Sequence, residues 1–212
     1  MDIEYKGANC ITIDRKKDVF VIDPKLSSVG LKDFKGKSVA FIATKHAFMS
    51  EPTDEEVVLI DGPGEYEVKN CTIKGIAARP HSSLKDDDKS ATMYKLNIDD
   101  TTIAIIGHVD PNLSDEQLEA LGVVDILVVP VGGYGYTLDA KSAANLVKKI
   151  EPKTVIPTHY ADASIKYEVE QAGLDEFVKE LGGANVEEYA KLKVKSGLLP
   201  ASLTIYKLAL SK

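Results

Sequence analysis

The sequence is short of cysteine and of clustered positive charge, and each shortage excludes a class of protein. Two distant cysteines, Cys10 and Cys71, cannot form a disulfide framework in 212 residues, which indicates a reducing compartment. The formal net charge is −7 and no block of lysine and arginine interrupts it. Binding to a phosphate backbone needs a basic surface, so we expect no nucleic-acid partner.

Long apolar runs are missing as well. No run approaches the roughly 18 residues that a helix needs to cross a bilayer, and the segment after Met1 has neither the basic nor the apolar part of a signal peptide. We therefore expect a cytoplasmic protein with no membrane partner. Hydrophobic residues still make up 44% of the chain, which is enough to build the core of a single domain over residues 1–212.

The first half of the sequence predicts β-structure. Short β-branched runs separated by polar residues indicate three hairpins, which pair 9–14 with 18–23, 65–68 with 71–77, and 91–97 with 102–106. Two more strands are predicted, at 37–43 and 56–60. The run Asp86, Asp87, Asp88 is interpreted as a solvated loop tip.

The second half alternates between helical and strand patterns. Continuous apolar runs at 124–130 and 154–157 are typical of strands buried on both faces, and 203–210 is a closing strand. Helices are predicted at 114–121, 139–150 and 164–181, the first capped by Ser114 and the last ended by Gly182-Gly183. Hairpins followed by alternating strands and helices predict an α/β fold with helices packed outside the sheets.

Each of the four histidines follows the C-terminal end of a predicted strand. They are His46, His81, His108 and His159. Strand ends that open into loops are where α/β proteins place their sites. A shared histidine site would bind a metal or transfer protons, and scattered loop histidines are the alternative. Close H-x-H, C-x-x-C, G-x-S-x-G and Walker patterns are missing from the sequence, so it has no local metal, nucleophile or nucleotide motif.

Three smaller features have two interpretations each. The glycine-rich segment 132–135 indicates a tight turn, since it lacks the dinucleotide-binding glycine pattern. Asp23, before Pro24, is either a turn former or a site residue. The tyrosines near the expected site mouth either line a pocket or pack at the sheet edge; they are Tyr134, Tyr136 and Tyr160.

Several segments together resemble a known family. They are 62–68, 103–107, 128–133, 137–140 and 155–160, of which Pro-Val-Gly-Gly and Ile-Pro-Thr-His-Tyr are the most specific. From Tyr5 to Leu210 the chain resembles the small bacterial and archaeal Zn-dependent hydrolases of the metallo-β-lactamase fold, which are related to ascorbate-6-phosphate lactonases. The resemblance implies an αββα four-layer sandwich with a two-metal site at one edge. It also implies a homo-oligomer.

The sequence departs from this family at the metal ligands. The family loop H-x-H-x-D-H should follow strand 37–43, where its four ligand positions hold Lys45, Ala47, Met49 and Ser50. The family's later and final histidines match His81 and His159. The bridging aspartate is replaced by His108, with Asp110 two residues further on. A pair of zinc ions is therefore not expected.

Three functions remain open at this point. The first is a protein that binds a small molecule or a protein and no longer hydrolyses. The second is a hydrolase of a small ester, lactone or phosphodiester with a single zinc held by His81, His108 and His159. The third is a metal-free enzyme that uses these histidines as acid–base groups. In a site without the metal pair, Lys45 would supply the positive charge that the metal ions no longer provide, paired with Asp110 or Asp23. His108 would be a catalytic group next to Lys45.

Overall fold

Two mixed β-sheets form the body of the protein in the computed structural model, which describes residues 1–81, 90–195 and 197–211. Their inner faces meet in an apolar core to which both sheets contribute, including Phe20 and Phe41 from one sheet and Tyr94 from the other. This arrangement is the α/β sandwich that the resemblance predicts. The predicted loop tip at Asp86–Asp88 lies outside the described residues.

The smaller sheet has the strand order β13-β1-β2-β3-β4-β5. Its strands are β1 (Asp2–Gly7), β2 (Cys10–Arg15), β3 (Asp18–Ile22), β4 (Ala40–Ile42), β5 (Val58–Ile60) and β13 (Leu192–Lys193). Strands β2 and β3 form an antiparallel hairpin in which Arg15 pairs with Asp18. Strands β3, β4 and β5 run parallel, so their C-terminal ends open at the same edge of the sheet.

The larger sheet has the strand order β12-β14-β11-β10-β9-β8-β7-β6. Its strands are β6 (Gly64–Val68), β7 (Cys71–Ala78), β8 (Ala91–Ile98), β9 (Thr101–Ile105), β10 (Ile126–Pro130), β11 (Thr154–Thr158), β12 (Asn185–Tyr189) and β14 (Thr204–Leu208). Strands β6 to β9 are antiparallel, and β9, β10, β11, β14 and β12 are parallel. Every residue of β10 and β11 is buried, as the continuous apolar runs predict.

Three α-helices lie within the described part of the chain, and all three pack on the outer face of the larger sheet. They are α1 (Asp115–Leu121), α2 (Ala140–Ile150) and α3 (Leu174–Glu180), and short 3-10 turns cover Ser27–Val29 and His46–Phe48. Ser114 caps α1 in a reciprocal bond pair with Gln117. Among the described residues, none of the helices has the length and apolar character to cross a membrane.

The three predicted hairpins are confirmed, as are the first two helices, but the helix predicted over 164–181 is wrong in its first half. Residues 161–173 form a loop, in which Asp162 accepts from the Ser164 amide and Lys166 donates from its amide to Val29 O. The local turn closed by Asp162 and the bond to Val29 in the rest of the fold outweigh the helical preference of the segment. Strands β1, β12 and β13 were not predicted.

Candidate functional site

The ends of strands from both sheets converge at one edge of the sandwich. Asp23 follows β3 and Thr44 follows β4 in the smaller sheet, while His108 follows β9 and His159 follows β11 in the larger sheet. All four side chains are buried. The histidine pair at strand ends, which the sequence predicts, therefore lies against polar groups of the opposite sheet.

Asp23 is the acceptor at the centre of a buried network. One carboxylate oxygen accepts from the Thr44 amide at 2.7 Å, and the other accepts from Thr44 Oγ1 at 2.8 Å and from Asn9 Nδ2 at 2.7 Å. Asn9 Oδ1 in turn accepts from Thr158 Oγ1 at 2.6 Å. Thr158 belongs to the larger sheet, so the network joins the two sheets directly beside His159.

Burial sets the ionisation of Asp23. It raises the pKa of the carboxyl to about 6, although the bonds from Asn9 and Thr44 act in the opposite direction. The backbone of Asp23 also lies in the left-handed region, with φ of 44°. Asp23 is thus both the turn former and a buried structural residue of the site, and its bonds to Asn9 and Thr44 occupy both oxygens.

His159 is held from one side by Gln171. The ring nitrogen Nδ1 lies 3.0 Å from Gln171 Oε1, and the His159 amide donates to Ala8 O at 2.8 Å. Burial lowers the pKa of His159 to about 4, against a smaller opposing effect of the bond to Gln171. The imidazole is therefore neutral at pH 7.

His108 lies against His159 with the two rings edge to face, their centroids 4.9 Å apart. Neither ring nitrogen of His108 has a hydrogen-bond partner among the described residues, although both nitrogens are buried. Burial lowers the pKa of His108 well below its ordinary value, and electrostatic interactions with His159, Lys45 and His81 lower it further. Two buried nitrogens without partners normally indicate a water, an ion or a ligand that completes the site.

A small chamber lies between the strand ends of the two sheets at this point. It has a volume of about 20 Å³, and its wall includes Asn9, Asp23, Phe48, His108 and His159. That volume is enough for one water-sized group. Aromatic rings enclose the histidines: Phe48 lies 4.6 Å from His108, and Tyr167 lies 4.6 Å from His159, between ring centroids.

A second, larger cavity of about 380 Å³ opens beside the chamber. Lys45, Asp61 and Thr92 are among the residues that line it. The side chain of Lys45 is buried, and its charge acts on His108, so Lys45 belongs to the same site. His46, one residue on, is exposed and pairs with Asp61 at 2.7 Å.

The remaining predicted site residues lie at the rim. His81 Nδ1 is 3.3 Å from Gly135 O, which connects the segment after β7 to the glycine-rich turn. Asp110 forms an ion pair with Arg79 at 3.4 Å and accepts from the Asn112 amide. The structure thus brings His108, His159 and Lys45 together and directs Asp110 to Arg79. Among the described residues, no three histidine, cysteine or acidic side chains are grouped to hold one ion.

Sequence patterns miss several residues of the site. Gln171 comes from the loop wrongly predicted as helix, and Asn9 had no motif to mark it. Thr158 lies in the Ile-Pro-Thr-His-Tyr segment, but that segment gave it no role. Of the tyrosines considered, Tyr136 lies 5.4 Å from the His108 ring, whereas Tyr160 stacks on Tyr5 at 6.2 Å. Tyr134 is largely exposed, in the turn at 133–135 where three successive residues have positive φ.

The buried histidines predict a pH dependence of stability. Between pH 6.5 and about 4 the unfolded chain takes up protons at His108 and His159 that the folded chain does not, so the free energy of unfolding falls as the pH falls. Asp23 acts in the opposite direction between about pH 4 and 6 and cancels part of this fall. His159 alone accounts for about 3 kcal/mol by pH 4.

Urea unfolding at pH 7, 6, 5 and 4 measures this dependence. Replacement of His159 by glutamine should make the fall on acidification smaller by about 3 kcal/mol. The matched control is His46→Gln, because His46 is exposed. Equal pH dependence of the wild type and His159→Gln would contradict the burial argument.

Comparison with known proteins identifies relatives of the whole architecture. A family model described as "Beta-lactamase superfamily domain" matches residues 2–159, a range that ends at His159. A metallo-β-lactamase superfamily protein from Thermotoga maritima superposes with a TM-score of 0.72 at 19% identity, covering 98% of this chain and 99% of the other. A metallo hydrolase from Ignicoccus hospitalis superposes with a TM-score of 0.64 at 17% identity, covering 92% of this chain and 99% of the other.

Curated relatives match over shorter segments. A UPF0173 protein of Pyrococcus furiosus is 40% identical over 72 residues, which is 34% of this chain and 31% of the relative. A UPF0173 metal-dependent hydrolase of Pyrococcus abyssi is 40% identical over 42 residues, which is 20% of this chain and 18% of the relative. The matches thus span a third or less of these relatives' own length.

Proposed function

Because the chain belongs to the β-lactamase superfamily, we propose that it uses this fold to bind a small molecule or a protein and not to hydrolyse a substrate on two metal ions. The observation that carries the proposal is the buried side chain of Lys45. Lys45 stands in the segment after β4, where the resemblance to the family expects the first histidine ligand.

The charge of Lys45 disfavours metal ions in this place. An ammonium in the place of a ligand repels a dication nearby and offers it no lone pair. The same loop offers Ala47, Met49 and Ser50 at the other three positions, and a methyl group, a thioether or a hydroxyl does not replace an imidazole or a carboxylate as a zinc ligand. The side chains present therefore do not fit a pair of metal ions.

The larger cavity supports the binding part of the proposal. Its volume of about 380 Å³ falls in the range of sites that hold small molecules. Its wall combines the cation of Lys45 with the carboxylate of Asp61 and the hydroxyl of Thr92, which are the polar groups that orient a ligand. The net charge of −7 keeps nucleic acid outside the proposal.

A second candidate function is a hydrolase with a single metal ion. It is favoured by the two buried nitrogens of His108 that have no partner among the described residues, and by the similarity to the Pyrococcus abyssi relative, which is named a metal-dependent hydrolase. His108 and His159 would be two of its ligands. When bound, such an ion would lower the pKa of a water molecule and supply hydroxide.

Metal analysis of the untagged protein separates the two candidates. After zinc or manganese loading and desalting, we expect less than 0.1 equivalent of metal, on the order of background, and an unchanged melting temperature, because a protein that binds no metal gains no stability from it. Inductively coupled plasma mass spectrometry measures the metal. About one equivalent that disappears in His108→Ala or His159→Ala would overturn the proposal and favour the hydrolase.

Restoring a ligand at position 45 tests the role of the ammonium itself. Lys45→His removes the positive charge and adds an imidazole next to His108, so zinc affinity should rise tenfold or more. Isothermal titration calorimetry with zinc measures the change in affinity. The matched control is Lys141→His on the exposed surface of α2, which changes the same residue type away from the site. Equal zinc binding by both variants would show that Lys45 is not what excludes the ion.

A further inference from the structure

Gln171 contacts the site through a single, well-defined hydrogen bond. Its Oε1 lies 3.0 Å from His159 Nδ1, and both side chains are buried. Gln171 comes from the loop between β11 and α3, which neither the strand pattern nor the helix pattern marks as part of a site.

The other half of the Gln171 amide fixes its orientation. Gln171 Nε2 donates to Val169 O at 3.1 Å and to Glu170 O at 3.0 Å. Reversing the amide would place its oxygen against two carbonyl oxygens, where no hydrogen bond can form. The atom that faces His159 is therefore the carbonyl oxygen, which is only an acceptor.

Gly132 makes this approach possible. A side chain at position 132 would place its Cβ 2.1 Å from Gln171 Oε1 and 2.1 Å from His159 O. The Ala172 amide donates to Gly132 O at 2.7 Å, which anchors the loop beside the glutamine. Three segments thus meet beside the His159 ring: the glycine-rich turn, the loop that carries Gln171 and the end of β11.

We propose that Gln171 is a positioning residue that fixes the tautomer of His159 and so decides what the chamber accepts. Because Gln171 Oε1 can only accept, His159 Nδ1 carries the proton and the lone pair of the neutral ring resides on Nε2. Nε2 is then the ring atom left for a ligand in the chamber that His159 lines. A group bound against it must take up that lone pair, as a metal ion or a hydrogen-bond donor such as a hydroxyl or a protonated amine does, and an unprotonated carboxylate or phosphate oxygen is refused.

This inference rests on the proposed function only in that a ligand is bound at this edge of the sandwich, where one of its groups enters the chamber beside the larger cavity. The tautomer is a property of the folded chain and exists whether or not a ligand or a metal binds. The metal content and the tautomer of His159 are measured in separate experiments. An unexpected result in one can therefore be told apart from an unexpected result in the other.

Nuclear magnetic resonance of histidine labelled with ¹⁵N tests the tautomer directly. Correlations between ring protons and ring nitrogens at pH 7, in protein treated with a chelator, distinguish a protonated nitrogen from a bare one. The four histidines are assigned by single substitutions, and exposed His46 serves as the internal reference. We expect His159 to show a protonated Nδ1 and a bare Nε2. A protonated Nε2 in the wild type would overturn the proposal.

Two variants separate positioning from packing. Gln171→Met keeps the size of the side chain and removes the acceptor, so the proton of His159 should move largely to Nε2. Gln171→Glu keeps an acceptor facing His159 and should keep the proton on Nδ1, while it loses the amide bonds to Val169 O and Glu170 O. A lower melting temperature in Gln171→Met with an unchanged nitrogen pattern would mean that Gln171 only packs. Where Gln171→Met does not fold, the wild-type and Gln171→Glu patterns still decide the tautomer.

Discussion

Replacement of Gly132 by alanine is expected to destabilise the protein by at least about 3 kcal/mol, or to prevent folding. The added Cβ would lie 2.1 Å from the backbone oxygen of His159 and 2.1 Å from Gln171 Oε1, far inside contact distance. The backbone of His159 cannot retreat easily, because its amide donates to Ala8 O at the end of a buried strand. For a domain of this size the loss corresponds to a fall of about 10 °C in melting temperature.

Thermal and urea unfolding followed by circular dichroism measure the Gly132→Ala effect. The matched control is Gly62→Ala, because a Cβ at position 62 meets nothing within 4 Å. That variant should unfold within about 1 kcal/mol of the wild type. Similar stabilities for the two variants would mean that the loop carrying Gln171 moves aside readily, and the close contact would lose its significance.

Replacement of Asp23 by alanine is expected to cost about 4 kcal/mol, because the removal of one acceptor leaves three buried donors unsatisfied. They are the Thr44 amide, Thr44 Oγ1 and Asn9 Nδ2. Asp23→Asn should recover part of the loss, since its carboxamide oxygen still accepts from the Thr44 amide. Urea denaturation at pH 7 measures both variants.

Two comparisons sharpen the Asp23 experiment. Asp175→Ala removes an exposed aspartate from the first turn of α3 and should change stability by less than about 1 kcal/mol. A double substitution of Asp23 and Thr158 should cost less than the sum of the single effects, because Asn9 connects both residues in one network. Strict additivity would contradict that connection between the sheets.

The sequence predicts much of the fold because the spacing of apolar residues and the residue types found in turns are local properties. Alternation and polar pairs such as Lys69-Asn70 mark the hairpins, and the buried runs at 126–130 and 154–158 need no partner to be recognised. Strand β1 is harder to predict. Its polar and apolar residues alternate, but no turn precedes them to mark where the strand begins. Strand β12 has no apolar run, since its sequence is Asn-Val-Glu-Glu-Tyr and most of its residues are exposed. Strand β13 has only two residues, and its partner β1 lies far away in the chain.

The candidate site is only partly predictable from sequence. His108 and His159 are marked by their place after buried strands, and the structure brings their rings within 4.9 Å. Gln171 cannot be predicted in this way. It reaches the site through the path of its loop, and the residues of that loop favour a helix in the sequence. Asn9 and Thr158 are 149 positions apart, and no local pattern predicts the hydrogen bond between them.

The place of β1 in its sheet has a consequence during translation. On one side β1 pairs with β2, which follows directly, but on the other side it pairs with Leu192 and Lys193 of β13. At roughly 5–20 residues per second, the ribosome needs about 10–40 s to supply that partner. For this time the outer edge of β1 offers unpaired backbone groups to any neighbouring chain. The nascent protein is thus most vulnerable to aggregation before its last tenth emerges, and this is the interval in which a chaperone would matter most.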